Sequence, residues 1–159
     1  SASSRGILSS ILSSEMMTTQ SEVHRDPPPG FELSSSRGPF TTRNGPVCRA
    51  TAKGDLRSGL WVLERHCNSM GFMHGGMVSS FADGALAWAV WYETHKMSVT
   101  LKLTTSFFGT IRPGDWLEAS PRVTSSEEGI VHVTADMTVR GTLAARADAT
   151  FRVLRRTAK

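Results

Sequence analysis

The chain has 159 residues, of which 39% are hydrophobic and 20% charged, as is typical of one soluble globular domain with its own core. No stretch reaches the roughly 20 apolar residues that a membrane-spanning helix requires. The formal net charge of +4 comes mostly from arginine and suits a ligand that carries phosphates. A dense basic run interleaved with aromatic residues, typical of nucleic-acid binding, is missing.

Residues 1–45 are predicted to form a flexible arm rich in Ser, Pro, Gly and Arg. The chain begins at Ser rather than Met, which fits a cloning remnant or a processed end. A short apolar repeat at 7–12 predicts a turn or two of helix, with a targeting peptide as the alternative, and residues before about Pro27 are expected to be dispensable. Pro27–Gly30 predicts a stiff extended piece and a turn. Three apolar residues beyond it would hold the arm against the domain: Phe31, Leu33 and Phe40.

A folded domain is expected over residues 46–156. Two predicted strands, Val47–Ala52 and Gly59–Glu64, precede a loop and a helix from about Gly75 to Trp91. Runs rich in β-branched and aromatic residues then predict four strands, at 98–108, 116–124, 130–140 and 143–153. The order of strand, strand, helix and four strands indicates an α+β fold, in which an antiparallel sheet covers one long helix.

Two cysteines are too few for a disulfide scaffold and are not spaced as metal ligands. Cys48 and Cys67 are therefore expected to be reduced thiols in a cytoplasmic protein. Cys67 follows His66 directly, but neighbouring residues of a strand point to opposite faces, so a nucleophile–base pair is the less favoured interpretation. Metal clusters, phosphate-binding glycine loops and serine nucleophile motifs do not occur, so water chemistry has to come from side chains and backbone dipoles.

The predicted helix carries the features that point to chemistry. Apolar residues recur along it at three- and four-residue spacing, at Met77, Phe81, Ala85 and Trp88, and predict one buried stripe. Asp83 lies among them, where an acid is costly unless it has a partner or a task. At the helix start, Gly75 and Gly76 would let a ligand approach N–H groups that have no partner inside the helix.

The pattern Asn-x5-His-Gly-Gly-x6-Asp, from Asn68 through His74 to Asp83, resembles the hotdog-fold acyl-CoA thioesterases of the phenylacetate-pathway type. A second block, TLKLTTSFFGTIRPGD from Thr100 to Asp115, extends the resemblance, which covers roughly residues 44–154. It implies the hotdog fold, a sheet wrapped around a central helix, and a substrate of acyl- or aryl-coenzyme A.

The resemblance also implies roles for five residues. Asp83 would act as general base towards water or as nucleophile, and the Gly75 N–H would polarise the thioester carbonyl. Asn68 would bind water or the carbonyl, His74 would be a positioning residue, and Thr100 would contact the acid or the water. For four of them a structural interpretation stays open: Asp83 as a helix acid facing water, Asn68 as a turn residue, His74 as a packed helix-start residue and Thr100 as an ordinary strand threonine.

Further residues are candidates for substrate binding. Gly76 would let the ligand approach the helix start, and three aromatic residues, Trp88, Phe107 and Phe108, would line an acyl or aryl pocket or simply form core. Arginines would meet the phosphates of coenzyme A or only provide surface charge: Arg112, Arg152, Arg155 and Arg156.

The sequence therefore predicts an acyl-CoA or aryl-CoA thioesterase that needs no cofactor, because coenzyme A is part of the substrate. In this fold the sites usually lie between two subunits, so a homodimer or homotetramer is expected, with no nucleic-acid or membrane partner. The rival interpretations are a hotdog hydratase or dehydratase, which the Asn-to-Asp pattern disfavours, and a non-catalytic acyl-CoA binding protein.

Overall fold

The structure is a computed structural model that describes residues 25–35 and 38–157, with side chains as far as Arg155. The apolar repeat at 7–12, the rest of the arm before Arg25 and the Arg156 side chain lie outside the described residues. The expectations for them stay predictions.

Ten elements make up the described chain. The strands are β1 (Phe31–Leu33), β2 (Val47–Ala50), β3 (Ser58–Trp61), β4 (Lys96–Phe107), β5 (Trp116–Glu127), β6 (Ile130–Val139) and β7 (Thr142–Thr157). The helices are α1 (Pro39–Asn44), a 3-10 turn (Glu64–His66) and α2 (Gly75–Thr94). All neighbouring strands pair antiparallel in one sheet of order β1-β2-β3-β5-β6-β7-β4. The sheet and its single long helix confirm the predicted α+β class and the hotdog arrangement.

Helix α2 begins at Gly75, as predicted, and runs three residues beyond the expected end. Its buried side chains are Val78, Phe81, Ala82, Ala85, Leu86, Ala89 and Val90. The predicted stripe is therefore only half right, because Met77 and Trp88 are half-buried at its margins. Small alanine side chains let the sheet approach this face closely, so the sheet covers a strip centred on the alanines rather than on the largest residues.

The sheet begins earlier in the chain than the sequence indicated. Strand β1 pairs with β2 and lies ahead of residue 46, where we expected the domain to start. Phe31 packs edge-on against Trp116, with ring centroids 5.2 Å apart, and so anchors the arm as expected. Leu33 and Phe40 do not, because they remain 38% and 61% exposed.

Residues ahead of β1 also contact the outer face of the sheet. The Arg25 guanidinium lies 4.3 Å from the centroid of the Trp61 ring. The indole N–H of Trp61 donates to the carbonyl of Asp26 over 3.0 Å. These contacts join a segment of the predicted arm to the folded sheet.

Candidate functional site

The start of helix α2 leaves one backbone donor unused. His74 caps the helix: its Nδ1 accepts from Gly76 N at 2.9 Å, and its carbonyl accepts from Met77 N and Val78 N. Helix N-terminal N–H groups have no partner inside the helix. Within the part of the chain that the structure describes, no acceptor is recorded for Gly75 N–H. This amide is the donor at the positive end of the helix dipole.

The cap also limits what His74 can do. Since Nδ1 accepts the Gly76 N–H, a neutral imidazole carries its proton on Nε2. The ring is thereby held at the helix start, with Nδ1 unable to take a proton from water without losing the cap. This geometry fits a positioning residue better than a general base.

Phe107 stands beside the same amide. A Cβ placed on Gly75 would lie 3.4 Å from the Phe107 ring, which is van der Waals contact. Phe107 and Phe108 are 53% and 57% exposed, so they are surface residues and not core. An apolar surface therefore adjoins the Gly75 donor, kept accessible by the missing side chain.

Asp83 and Thr100 meet across the fold. Thr100 Oγ1 donates to Asp83 Oδ1 over 2.6 Å, joining the middle of α2 to the edge strand β4. Asp83 is half-buried, and its Oδ2 has no recorded partner among the described residues. A second hydroxyl pair, Ser79 donating to Thr105 at 2.9 Å, holds the preceding turn of α2 against the same strand. The carboxylate is thus fixed through one oxygen and open through the other.

Asn68 organises the loop ahead of the helix. Its Oδ1 accepts from Met70 N at 3.0 Å and from Phe72 N at 3.2 Å, and its backbone N donates to the Phe72 carbonyl. The side-chain oxygen is therefore occupied by a turn, which the sequence analysis had left open. Only the Nδ2 amino group remains for a ligand, so Asn68 can donate to a carbonyl or a water but has no free acceptor for a water proton.

These groups do not converge within one chain. Asp83 follows Gly75 by eight residues, which is about 12 Å along the axis at 1.5 Å per residue. A reacting carbonyl has to lie about 3 Å from both its donor and its attacking group. The Gly75 amide and the Asp83 carboxylate of one chain therefore cannot serve the same thioester.

The other candidates divide between two regions. The Arg112 guanidinium is exposed and lies 4.7 Å from the centroid of the Phe72 ring, next to the Asn68 loop. Arg152 donates to the Glu128 carbonyl in the β5–β6 turn, which is a different part of the sheet. Arg155 is exposed on β7. Arg112 is thus the arginine of this set that lies beside the candidate site.

The cysteines take no part in this chemistry. The Cys67 thiol donates to the Leu63 carbonyl, and burial raises its pKa. Burial also raises the pKa of Cys48. His66 Nδ1 accepts from Leu63 N rather than from a thiol. Neither thiol is therefore activated as a thiolate.

One residue at the helix was missed by the sequence analysis. Arg49 on β2 places its guanidinium 5.2 Å from the centroid of the Trp88 ring and donates to Ser58. Trp88 also stacks on Trp91, with centroids 5.2 Å apart. A single arginine in a four-residue strand has no sequence signal, because only the sheet pairing brings it to the helix.

Among the described residues, no helix is long and apolar enough to cross a membrane. No group of three or more His, Cys, Asp or Glu side chains among them is placed to hold a metal ion.

Comparison with known proteins identifies a family and a relative that matches most of the chain. A family model described as the thioesterase superfamily matches residues 70–143. A protein of Pseudomonas aeruginosa named "Putative esterase PA0474" is 34% identical over 127 residues, which are 78% of this chain and 95% of that protein.

Solved structures share the fold at lower identity. A mutant of the phenylacetic acid degradation protein PaaI from Thermus thermophilus matches with a TM-score of 0.65 and 21% identity, over 74% of this chain and 100% of the other. The protein smu.793 from Streptococcus mutans, solved bound to acetyl CoA, matches with a TM-score of 0.62 and 19% identity, over 86% of this chain and 98% of the other.

Proposed function

The chain belongs to the thioesterase superfamily, and we propose that it hydrolyses an acyl- or aryl-coenzyme A to the free acid and coenzyme A. The observation that carries this proposal is the Asp83 carboxylate, held at Oδ1 by Thr100 and open at Oδ2. A fixed carboxylate with one free oxygen is suited to activating water or to attacking a carbonyl carbon. The acetyl CoA bound to the structural neighbour smu.793 supports the choice of ligand.

In the proposed reaction the thioester carbonyl accepts a hydrogen bond from the Gly75 N–H at the helix N-terminus. This donor, and the positive end of the helix dipole, stabilise the oxygen as it becomes anionic. The Asn68 amino group lies in the loop ahead of the helix and would donate to the same carbonyl or orient the water. Phe107 beside Gly75, together with Phe108, would shield the thioester from bulk water.

Asp83 supplies the base in one route. It takes a proton from water, the water oxygen bonds to the thioester carbon, and the carbon–sulfur bond breaks. The coenzyme A thiolate then takes the proton from Asp83. In the other route the free Asp83 oxygen bonds to the carbon and expels coenzyme A, leaving a mixed anhydride that water opens. Thr100 stabilises the occupied oxygen in both routes.

The proposed active unit is a homodimer, or a homotetramer of two dimers, in which Asp83 of one chain faces Asn68, His74 and Gly75 of the other. The 12 Å estimate between Gly75 and Asp83 along one helix supports this. Strand β4 also supports it, because among the described residues it pairs only with β7 and exposes Met97, Val99 and Leu101. An apolar edge strand of this length usually has a partner.

The test is a hydrolysis assay of the full chain on a panel of acyl- and aryl-CoA thioesters, with the released thiol measured directly. We expect thiol release from at least one thioester at a rate proportional to the enzyme concentration. We expect no hydration of an enoyl-CoA in a separate assay. Binding of coenzyme A thioesters without release of thiol would contradict the proposal and would favour the non-catalytic interpretation. Hydration of the enoyl-CoA would favour the hydratase.

A further inference from the structure

Arg49 lies on the helix-facing side of the sheet, away from the outer surface. It pairs in register with Ser58, which is fully buried and lies on the same face as the core residue Leu60. Its guanidinium packs over Trp88 and donates to the Ser58 hydroxyl. Strand β2 and helix α2 therefore hold this cation from two sides.

The charge of Arg49 has no anionic partner in the described chain. No Asp or Glu among those residues forms an ion pair with it. Burial lowers the pKa of Arg49 to about 10, still far enough above neutral pH for the group to stay charged. A guanidinium has five N–H donors in a fork that fits a carboxylate, so most of its binding capacity is unused. Removing such a cation from water without an anion is costly, and an arriving anion would offset that cost.

Small residues lie on the helix surface between Asp83 and Arg49. Trp88, on which Arg49 packs, follows Asp83 by five residues, or about 7.5 Å along the helix axis. At 3.6 residues per turn, Gly84 and Ala87 lie between Asp83 and Trp88 around the helix. Both are small, Gly84 is exposed, and a Cβ built on it meets no atom within 4 Å. The helix surface between the carboxylate and the guanidinium therefore carries no large side chain that would block a short acyl chain.

We infer that Arg49 binds a carboxylate at the far end of the acyl group, so that the substrates of this site are coenzyme A thioesters of short dicarboxylic acids. This inference rests on the proposed function, because it places the thioester at Asp83. Arg49 then acts as a specificity-determining residue, with Trp88 as the apolar wall beside the acyl chain. The phosphates of coenzyme A are a poor match for this position, since the long pantetheine arm separates them from the thioester.

The experiment compares thioesters of equal carbon number that differ only in the terminal group: glutaryl-CoA with pentanoyl-CoA. For each, kcat/KM is measured with the wild type, with Arg49→Met, and with Arg49→Lys. The control is Arg122→Gln, an exposed arginine on β5. We expect the wild type to favour glutaryl-CoA by about tenfold or more, as a charge-assisted bidentate pair does. Arg49→Met should abolish this preference, Arg49→Lys should restore part of it, and Arg122→Gln should leave it unchanged.

Two further measurements separate this inference from its alternatives. Light scattering and a melting curve of Arg49→Met show whether Arg49 instead holds subunits together or supports the fold. An equal loss for both substrates, or loss of the assembly, overturns the inference. If the wild type hydrolyses other thioesters of the panel but neither of these two, the inference is overturned and the proposed function stands. If it hydrolyses no thioester of the panel, the proposed function fails, and calorimetric binding of the two thioesters decides the inference. Tighter binding of glutaryl-CoA that depends on Arg49 supports it, and equal binding overturns it. Hydrolysis of pentanoyl-CoA without preference for glutaryl-CoA overturns the inference and leaves the proposed function standing.

Discussion

The hydroxyl of Thr100 donates to the carboxylate of Asp83 over 2.6 Å, although seventeen residues separate the two along the chain. The bond occupies one carboxylate oxygen, and the other has no hydrogen-bond partner among the described residues. It also ties the middle of α2 to a strand that, in the part of the chain that the structure describes, lies at the edge of the sheet. The candidate catalytic group is therefore oriented by the sheet and not only by its own helix.

Replacing Asp83 by Asn should lower kcat by about 10²–10⁴-fold, because the variant keeps the size of the side chain but loses its basicity. Affinity for the thioester should change little. The measurement is steady-state kinetics beside a melting curve, with Glu93→Gln, the exposed acid later in the same helix, as the matched control. Turnover of Asp83→Asn within about fivefold of wild type would show that Asp83 is not part of the active site.

Replacing Thr100 by Val removes the hydroxyl and keeps the β-branched shape. We expect kcat to fall roughly tenfold to a hundredfold, since a hydrogen bond to a charged group is lost. The matched control is Thr105→Val on the same strand, which breaks only the Ser79 contact. Thr105→Val should affect the melting temperature and leave kcat near wild type. An equal kinetic effect of both variants would mean that Thr100 acts through the packing of β4.

Replacing Gly75 by Ala places a methyl group 3.4 Å from the Phe107 ring, beside the free amide. Alanine is the better helix former, so the melting temperature should hold or rise. Turnover should fall about tenfold or more, because the carbonyl can no longer approach the N–H closely. Gly38→Ala, at the start of helix α1, adds a methyl group in open space and serves as the control. A variant with unchanged kcat would show that Gly75 is not the carbonyl donor.

Replacing Asn68 by Asp keeps the oxygen that accepts from Met70 and Phe72 but removes the amino group. We therefore expect a folded protein with kcat lowered about 10²-fold. Asn68→Ala should lose both activity and stability, since the loop amides lose their acceptor. If Asn68→Asp keeps wild-type kinetics while Asn68→Ala has a lowered melting temperature, Asn68 is only a turn residue.

Mixed dimers of Asp83→Asn and Asn68→Asp chains test the shared site. Each mixed dimer is isolated with a different affinity tag on each chain. It should contain one site in which Asp83 and Asn68 are both intact and one site in which both are replaced. About half of wild-type activity should return, whereas each parent variant is nearly inactive. Mixed dimers as inactive as their parents would show that each chain holds a complete site. Light scattering at working concentration should show at least twice the 17.3 kDa of one chain.

The sequence by itself determined the order of strands β2 to β7 and the long helix, the helix start at Gly75 and the α+β class, but it did not predict β1 or α1. These depend on local patterns: alternation in strands, helical spacing of apolar residues, and glycines where a helix begins. The Asn-to-Asp motif also indicated the family, which the comparisons bear out. The second block of the resemblance implied that Thr100 contacts the acid or the water, and Thr100 lies within hydrogen-bond distance of Asp83.

Tertiary structure alone decided which side chains meet. The strip of α2 that is buried follows the alanines, because sheet contact depends on close approach and not on side-chain size, and this left Trp88 at the margin. Arg49 reaches Trp88 because β2 pairs with β3 in one particular register. Both features depend on contacts between residues distant in sequence, and no local pattern specifies the register or the side of the helix on which they form.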